Sequence, residues 1–302
     1  MDSATLPDYL GVPARILGDG TPVKVRVLGD MASIARDLAD AMKAEIVAAR
    51  KRGRGATLIV PVGPVDHWPL LAKAINEARV ECRDTCFIQM DEYLTDDDAW
   101  VTESHPLSFR AFLKRAFYDL LEPSLAPRPE NRVCPDSRDC NAVRRCIEAR
   151  GGVDATFGGI GINGHIAFNE PPEPPPRPAL PPSGGEGGRR PGEGDSATVA
   201  SFAALSTRVL SLSRETRTIN AHTVGGSIEV IPHRAVTVGM KEILASRRVR
   251  LYCNRPWQSA VVRRVLHGPI SPECPASLVR LHADASITVT DYAAAAPDIR
   301  LR

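Results

Sequence analysis

The sequence predicts an α/β protein with a Rossmann-like, mostly parallel β-sheet that helices cover on both faces. Short runs of β-branched residues alternate along the chain with helical patterns, which is typical of strand–helix–strand units. The composition is 43% hydrophobic and 25% charged, as in globular proteins, and 302 residues suffice for a substantial core. We therefore expect a single domain over residues 1–302.

The predicted elements follow one another in this alternating order. Polar and apolar residues alternate over Val23–Leu28, which predicts a strand, and large apolar residues recur every fourth position from Ile34 to Ile46, which predicts a helix over Ser33–Arg50. The later predicted strands are Thr57–Val62, Thr85–Met90, Asp154–Gly159, Ala235–Gly239 and Val249–Cys253, and the later predicted helices are Trp68–Arg79 and Leu107–Leu121.

One segment, residues 171–195, has a composition unlike that of a packed core. It holds nine prolines and six glycines in 25 residues, so it has little to bury and is expected to be mobile. It is either a tolerated surface insertion or a lid over a site, because it begins directly after Glu170.

Charge and cysteine usage exclude several classes of protein. The 38 basic and 36 acidic residues leave a net charge of +2 without a basic stripe, so we expect neither a nucleic-acid nor a membrane partner. No signal peptide and no apolar run of about 18 residues is evident. The seven scattered cysteines favour free thiols in the cytoplasm, and their spacing does not predict a metal site.

Two polar motifs follow predicted strands, where ligands bind in open α/β sheets. Asp91-Glu92-Tyr93 comes directly after Thr85–Met90 and is able to supply a general base, although a plain polar strand–loop junction is the alternative. Gly158–Glu170 combines a glycine-rich turn with His165 and Glu170, so a histidine and an orienting carboxylate can form locally.

Together these motifs resemble the glucosamine-6-phosphate deaminase/isomerase family, which is related to the 6-phosphogluconolactonases. Asp91-Glu92-Tyr93 is similar to the family's Asp-Glu-Tyr, and Gly161–Pro171 to its Gly-x-Asp-Gly-His-Ile-Ala-Phe-Asn-Glu-Pro. The Ala-Phe-Asn-Glu ending favours the deaminase branch. Weaker similarity extends over Val23–Asp291, outside the proline-rich segment, and includes Ser206-Thr207-Arg208.

The resemblance implies a catalytic mechanism on a small sugar or amino sugar. Asp91 would move a proton between C2 and C1 of the opened sugar, His165 would open the ring, and Glu170 would orient the imidazole. No metal or redox cofactor is needed, because the acidity of the substrate comes from its own imine or carbonyl. Family members are often oligomers, so a homo-oligomer is an open alternative.

The sequence also departs from the family pattern. Asn163 stands where the family has Asp, and an amide cannot carry negative charge, so we expect slower or altered ring opening. In the family's phosphate loop, Gly63 is retained, whereas Pro64 lacks an N–H donor and Asp66 adds a negative charge.

Two further departures concern the cations that hold phosphate in the family. The phosphate-binding Lys falls near Gln258 and an Arg falls at His222. Either the end of the substrate is changed, or His67 and His222 supply a different site. The candidate site has Asp91, His165, Glu170 and Asn163 as catalytic residues and Gly63, Pro64, Asp66, His67, Glu92, Tyr93, Gly161, Gly164, Arg208, His222 and Gln258 as substrate-binding residues.

Two alternatives to the deaminase remain at this point. A sugar isomerase or lactonase acting on a related sugar acid would retain the proton-transfer residues without releasing ammonia. A sugar-binding regulator that has lost catalysis through Asn163 would retain the site without turnover.

Overall fold

The computed structural model of the chain describes residues 6–173 and 197–299. Most of the proline- and glycine-rich segment, residues 174–195, therefore lies outside the described residues, and the choice between a lid and a surface insertion stays a prediction. None of the helices in the described part of the chain is long and apolar enough to span a membrane.

The described part of the chain contains ten strands in two sheets. They are β1 (Lys24–Leu28), β2 (Thr57–Val60), β3 (Cys86–Gln89), β4 (Asp91–Leu94), β5 (Arg132–Val133), β6 (Ala155–Gly158), β7 (Arg208–Ser211), β8 (Arg234–Thr237), β9 (Val249–Cys253) and β10 (Ala285–Thr290). The larger sheet has seven strands in the order β1-β10-β9-β6-β2-β3-β5, and all its neighbours pair in parallel. This confirms the predicted fold class.

Nine α-helices connect and flank these strands. They are α1 (Met31–Lys51), α2 (His67–Glu77), α3 (Phe109–Ala116), α4 (Asn141–Ala149), α5 (Val199–Ala203), α6 (Arg214–Asn220), α7 (Met240–Leu244), α8 (Gln258–His267) and α9 (Asp291–Ala294). The count refers to residues 6–173 and 197–299 alone.

The helices cover both faces of the parallel sheet because side chains alternate along each strand. In β2, Leu58 and Val60 belong to the apolar cluster that contains residues of α1, α2 and α3. Ile59 belongs to the opposite cluster, with residues of α7 and α8. All four β2 side chains are buried, as expected for a central strand of a parallel sheet.

The second sheet is antiparallel, has the order β4-β8-β7, and corrects two predictions. The run Ala235–Gly239 was predicted as a strand, and it forms β8 of this small sheet instead of joining the parallel one. Asp91-Glu92-Tyr93 was predicted to lie beyond the end of a strand, and it forms part of a further strand, β4. The chain passes from one sheet to the other at Met90, whose N–H donates to Val60 O (2.9 Å) and whose carbonyl accepts from Val238 N (2.7 Å).

Candidate active site

The candidate site lies at the carboxyl ends of the central strands, where the direction of the strand order changes. From β2 the chain continues to β3 and β5 on one side, and later to β6, β9 and β10 on the other. Ligands of open α/β sheets bind at such a switch point. The loops after β2 and β6 are close neighbours there, since a methyl group on Gly159 would lie 4.0 Å from the Gly63 carbonyl oxygen.

The glycines after β6 make room for the imidazole of His165. A Cβ atom on Gly161 would lie 2.1 Å from the ring, and the Gly161 N–H donates to the His165 carbonyl (2.9 Å). Gly164 has φ +91°, and a Cβ there would also lie 2.6 Å from the Cys274 sulfur. The two glycines, predicted as substrate-binding residues, thus shape the turn that presents His165.

Asn163 joins the histidine to the carboxylate. Its Oδ1 accepts from the backbone N–H of His165 (3.2 Å) and lies 2.8 Å from Nδ1, while its Nδ2 donates to Glu170 Oε2 (2.7 Å). A backbone N–H only donates and a carboxylate only accepts, so the amide has one consistent orientation. Nδ1 of His165 therefore carries a proton, and Nε2 of the neutral ring keeps its lone pair.

Glu170 is held ionised beside this pair. Its carboxylate accepts hydrogen bonds from Ser213 N (3.2 Å) and Ser213 Oγ (3.1 Å), and it lies 3.7 Å from Nδ1 of His165. Burial raises the pKa of Glu170, but the nearby imidazole and the hydrogen bond from Asn163 outweigh it and lower the pKa to about 2.

Two residues of this network were not among the predicted site residues. Ser213 is the N-cap of α6, and its hydroxyl also accepts from Thr216 N (3.2 Å). Thr216 Oγ1 lies 3.2 Å from Nδ1 of His165. The sequence signal for both is the Ser-x-x-Thr pattern of a helix start, which by itself predicts a cap and not a site.

Asp91 is a buried carboxylate without a hydrogen-bonding partner in the described part of the chain. Its side chain is 7% exposed, and burial, followed by the charge of Glu92, raises its pKa to about 8. Asp91 pairs with Thr237 across β4 and β8.

Packing connects Asp91 to the histidine turn. The Thr237 hydroxyl accepts from Phe168 N (3.0 Å), and the ring of Phe168 lies 6.2 Å from that of His165 and 5.4 Å from that of Tyr93.

Glu92 and Tyr93 face into the protein. Glu92 is fully buried, and its carboxylate accepts from the backbone N–H groups of Tyr93 (2.9 Å), Phe109 (3.0 Å) and Arg110 (2.8 Å). It thereby satisfies free donors at the start of α3. The Tyr93 hydroxyl accepts from Asn220 Nδ2 (2.9 Å), and only 2% of Tyr93 is exposed. These contacts indicate supporting roles for both residues, in place of the predicted substrate contact.

The loop after β2 and the start of α8 contain five of the predicted substrate-binding residues. Gly63 and Asp66 are exposed, whereas His67 is fully buried with Nδ1 2.5 Å from the Pro64 carbonyl oxygen. Burial lowers the pKa of His67 to about 4, although the hydrogen bond with Pro64 opposes it. Gln258 donates to Ile160 O (2.8 Å) and accepts from Arg255 N (2.9 Å), so its amide ties α8 to the histidine turn.

The last two predicted residues lie farther along the chain. Arg208 begins β7 and pairs with Thr237 on the side opposite Asp91, and its guanidinium donates to Asn169 Oδ1 (2.7 Å). Burial lowers the pKa of Arg208, and Glu242 opposes this. His222 is exposed after α6, with Nδ1 2.5 Å from Ile219 O.

No family model matches the chain. A curated relative, the glucosamine-6-phosphate deaminase of Streptomyces avermitilis, is 30% identical over 237 residues, which cover 76% of this chain and 77% of the relative. The chain belongs to the glucosamine-6-phosphate deaminase family. A member from Cellvibrio japonicus is 29% identical over 274 residues, which cover 90% of each chain. The predicted resemblance is thereby confirmed.

Solved structures of a glucosamine-6-phosphate deaminase and of 6-phosphogluconolactonases share the fold. A monomeric glucosamine-6-phosphate deaminase superposes with a TM-score of 0.71 and 22% identity, covering 90% of this chain and 99% of the other. The 6-phosphogluconolactonase of Thermotoga maritima gives a TM-score of 0.60 and 12% identity, with 89% and 100% covered. In residues 6–173 and 197–299, no three histidine, cysteine or acidic side chains cluster as metal ligands would.

Proposed function

We propose that this family member is a deaminase that converts a 2-amino-aldose and water into a ketose and ammonia. The observation that carries the proposal is the presence of two unlike centres at the carboxyl ends of β6 and β3, the two strands that flank β2. One is the hydrogen-bonded array of Glu170, Asn163 and His165, and the other is the buried carboxylate of Asp91, which no described residue pairs with.

Ring opening is assigned to His165. Neutral imidazole with its proton on Nδ1 accepts the anomeric hydroxyl proton at Nε2 and returns it to the ring oxygen as the C1–O bond breaks. Glu170 is ionised throughout this step, and Asn163 transmits its orienting effect through one amide group. An amide in this position still fixes the tautomer, which supports activity despite the departure from the family motif.

Proton transfer between carbons is assigned to Asp91. The carboxylate removes the C2 proton of the opened 2-amino-aldose and delivers it to C1, which leaves a ketimine that water hydrolyses to the ketose and ammonia. Because burial raises the pKa of Asp91 to about 8, its carboxylate is a stronger base than an exposed aspartate. Turnover should therefore increase as the pH rises toward 8.

Ammonia release distinguishes this reaction from its alternatives. Glucosamine and glucosamine 6-phosphate are incubated separately with the protein, and ammonia and ketose are measured in equal amounts if the proposal is correct. An isomerase or lactonase would act on a sugar substrate without releasing ammonia. A regulator would be stabilised thermally by the sugar without turning it over. Either result would replace the proposed function. A cytoplasmic location and a homo-oligomeric state stay predictions.

A further inference from the structure

The loop after β2 must border any substrate that reaches both catalytic centres. β2 lies between β6, which leads to His165, and β3, which leads to Asp91. A sugar that touches both side chains therefore lies across the end of β2, next to Gly63–Asp66 and the start of α2. The groups in this loop decide which substituent the site accepts there.

The backbone of this loop lacks some of the donors that an anion could use. Pro64 has no N–H, and the Trp68 N–H donates to Val65 O at 3.4 Å. The Pro64 carbonyl is occupied by His67. A helix N-terminus attracts anions through its free N–H groups, but here part of that cradle is missing.

The charges around the strand ends are mostly negative. The residues that directly follow β2, β3, β6 and β9, numbered 61–66, 90–91, 159–173 and 254–257, contain four carboxylates and one guanidinium. The carboxylates are those of Asp66, Asp91, Glu170 and Glu173, and the guanidinium is that of Arg255.

Asp66 is the carboxylate that a substituent above β2 would meet. It is the N-cap residue of α2 and is exposed, and its side chain makes no capping hydrogen bond. Its charge already compensates the positive end of the helix dipole and repels a second anion there.

The other candidate groups do not restore a positive site. His67 is fully buried in contact with the Trp68 ring, with ring centroids 4.4 Å apart. The amide of Gln258 has both ends hydrogen-bonded within the protein. Arg255 extends toward Met31, with its nitrogen 3.9 Å from the sulfur, and Met31 follows β1, which is two strands away from β9.

We infer that the site takes an amino sugar that is uncharged at the end facing the β2 loop, and that Asp66 and Pro64 discriminate against a phosphate there. This inference rests on the proposed function and narrows its substrate class to unphosphorylated 2-amino-aldoses such as glucosamine.

Ratios of kcat/KM for glucosamine and glucosamine 6-phosphate test the inference, with ammonia release as the readout. Wild-type protein should prefer glucosamine by about tenfold or more, and the preference should shrink as salt is raised from about 0.01 M to 0.15 M, because screening weakens repulsion. Asp66→Asn keeps the side-chain shape without the charge and should shift the ratio toward the phosphorylated sugar by about tenfold. Asp40→Asn, which removes an exposed carboxylate on α1, is the matched control and should leave the ratio unchanged.

The possible outcomes separate the inference from the proposed function. Ammonia from neither sugar would remove the proposed function itself. Preferred deamination of glucosamine 6-phosphate by the wild type would overturn the inference and leave the proposed function standing. Arg255→Gln extends the test, since a selective loss of activity on the phosphorylated sugar would show Arg255 holding the phosphate, and an unchanged ratio is expected. If Asp66→Asn behaves like Asp40→Asn, Asp66 does not determine specificity.

Discussion

Asp91 and Asp154 are buried aspartates at the carboxyl and amino ends, respectively, of strands of the parallel sheet, and their hydrogen-bonding partners differ sharply. Asp154 precedes β6 and is 1% exposed, and its carboxylate accepts from Arg54 (2.7 Å), Arg247 (2.8 Å) and Thr57 N (2.9 Å). Burial raises the pKa of Asp154, but hydrogen bonds from Arg54 and Thr57 and the charges of the arginines outweigh it, so the pKa is lowered. Among residues 6–173 and 197–299 Asp91 has no such partner, and its pKa is raised.

Hydrogen-bonding and charged partners, and not burial alone, decide whether a buried carboxylate is ionised. A carboxylate surrounded by cations and N–H groups stays ionised and stabilises the fold, whereas one left without partners is a base whose pKa suits proton transfer near neutral pH. The carboxyl ends of the strands therefore form the reactive side of the sheet, and the amino ends around Asp154 have a structural role.

Matched substitutions of Asp91 and Asp154 should differ most strongly in their effect on catalytic activity. Asp91→Asn should reduce ammonia release by about a thousandfold, because the amide cannot accept the C2 proton, while the melting temperature stays at or above that of the wild type. Undiminished turnover would remove Asp91 from the mechanism.

Asp154→Asn should have the opposite effect. It leaves Arg54 and Arg247 without their anionic partner and should lower the free energy of unfolding by about 3 kcal/mol, measured by urea denaturation. The kcat of the protein that remains folded should not change. A loss of kcat without a loss of stability would show that Asp154 has more than a structural role.

Asn163→Asp should place a second carboxylate beside Glu170, as Glu92 lies beside Asp91, and raise its pKa. The new carboxylate replaces the N–H that donates to Glu170 at 2.7 Å, and the like charge should raise the pKa of Glu170 from about 2. We expect the titration of Glu170, followed by NMR of its carboxyl carbon, to move to higher pH, and Asn163→Ala, which removes the amide without adding charge, serves as the control. A titration of Glu170 that does not move in Asn163→Asp would argue against coupling between these residues.

The pH dependence of stability should also differ between the two aspartates. The raised pKa of Asp91 means that the folded state binds an extra proton between its unfolded value near 4 and its folded value of about 8, so stability falls as the pH rises across this window. The lowered pKa of Asp154 acts in reverse, since its contribution is present above the unfolded value and is lost as the pH falls through the folded one. Denaturation of wild type, Asp91→Asn and Asp154→Asn between pH 2 and 9 measures both slopes. Parallel curves for Asp91→Asn and wild type from pH 4 to 8 would contradict the raised pKa of Asp91.

Periodicity and local motifs predicted most of the parallel sheet. Strand and helix repeats located β2, β3, β6, β9, α1 and α2 to within a few residues, because these elements bury one regular face or two. The two-residue β5 and the passage from β3 into β4 at Met90 had no such signal, since pairing with residues far away in the chain defines both.

The sequence alone determined that Asp91, His165 and Glu170 follow strands whose carboxyl ends meet, and that a glycine-rich turn precedes His165. Only the tertiary structure decided what each group does there. Glu92 is next to Asp91 in the chain, yet it caps α3, and Asp154 is held by Arg54 from 100 residues away. Protonation and hydrogen bonding depend on which groups folding brings within a few ångströms, and neighbours along the chain do not specify those distances.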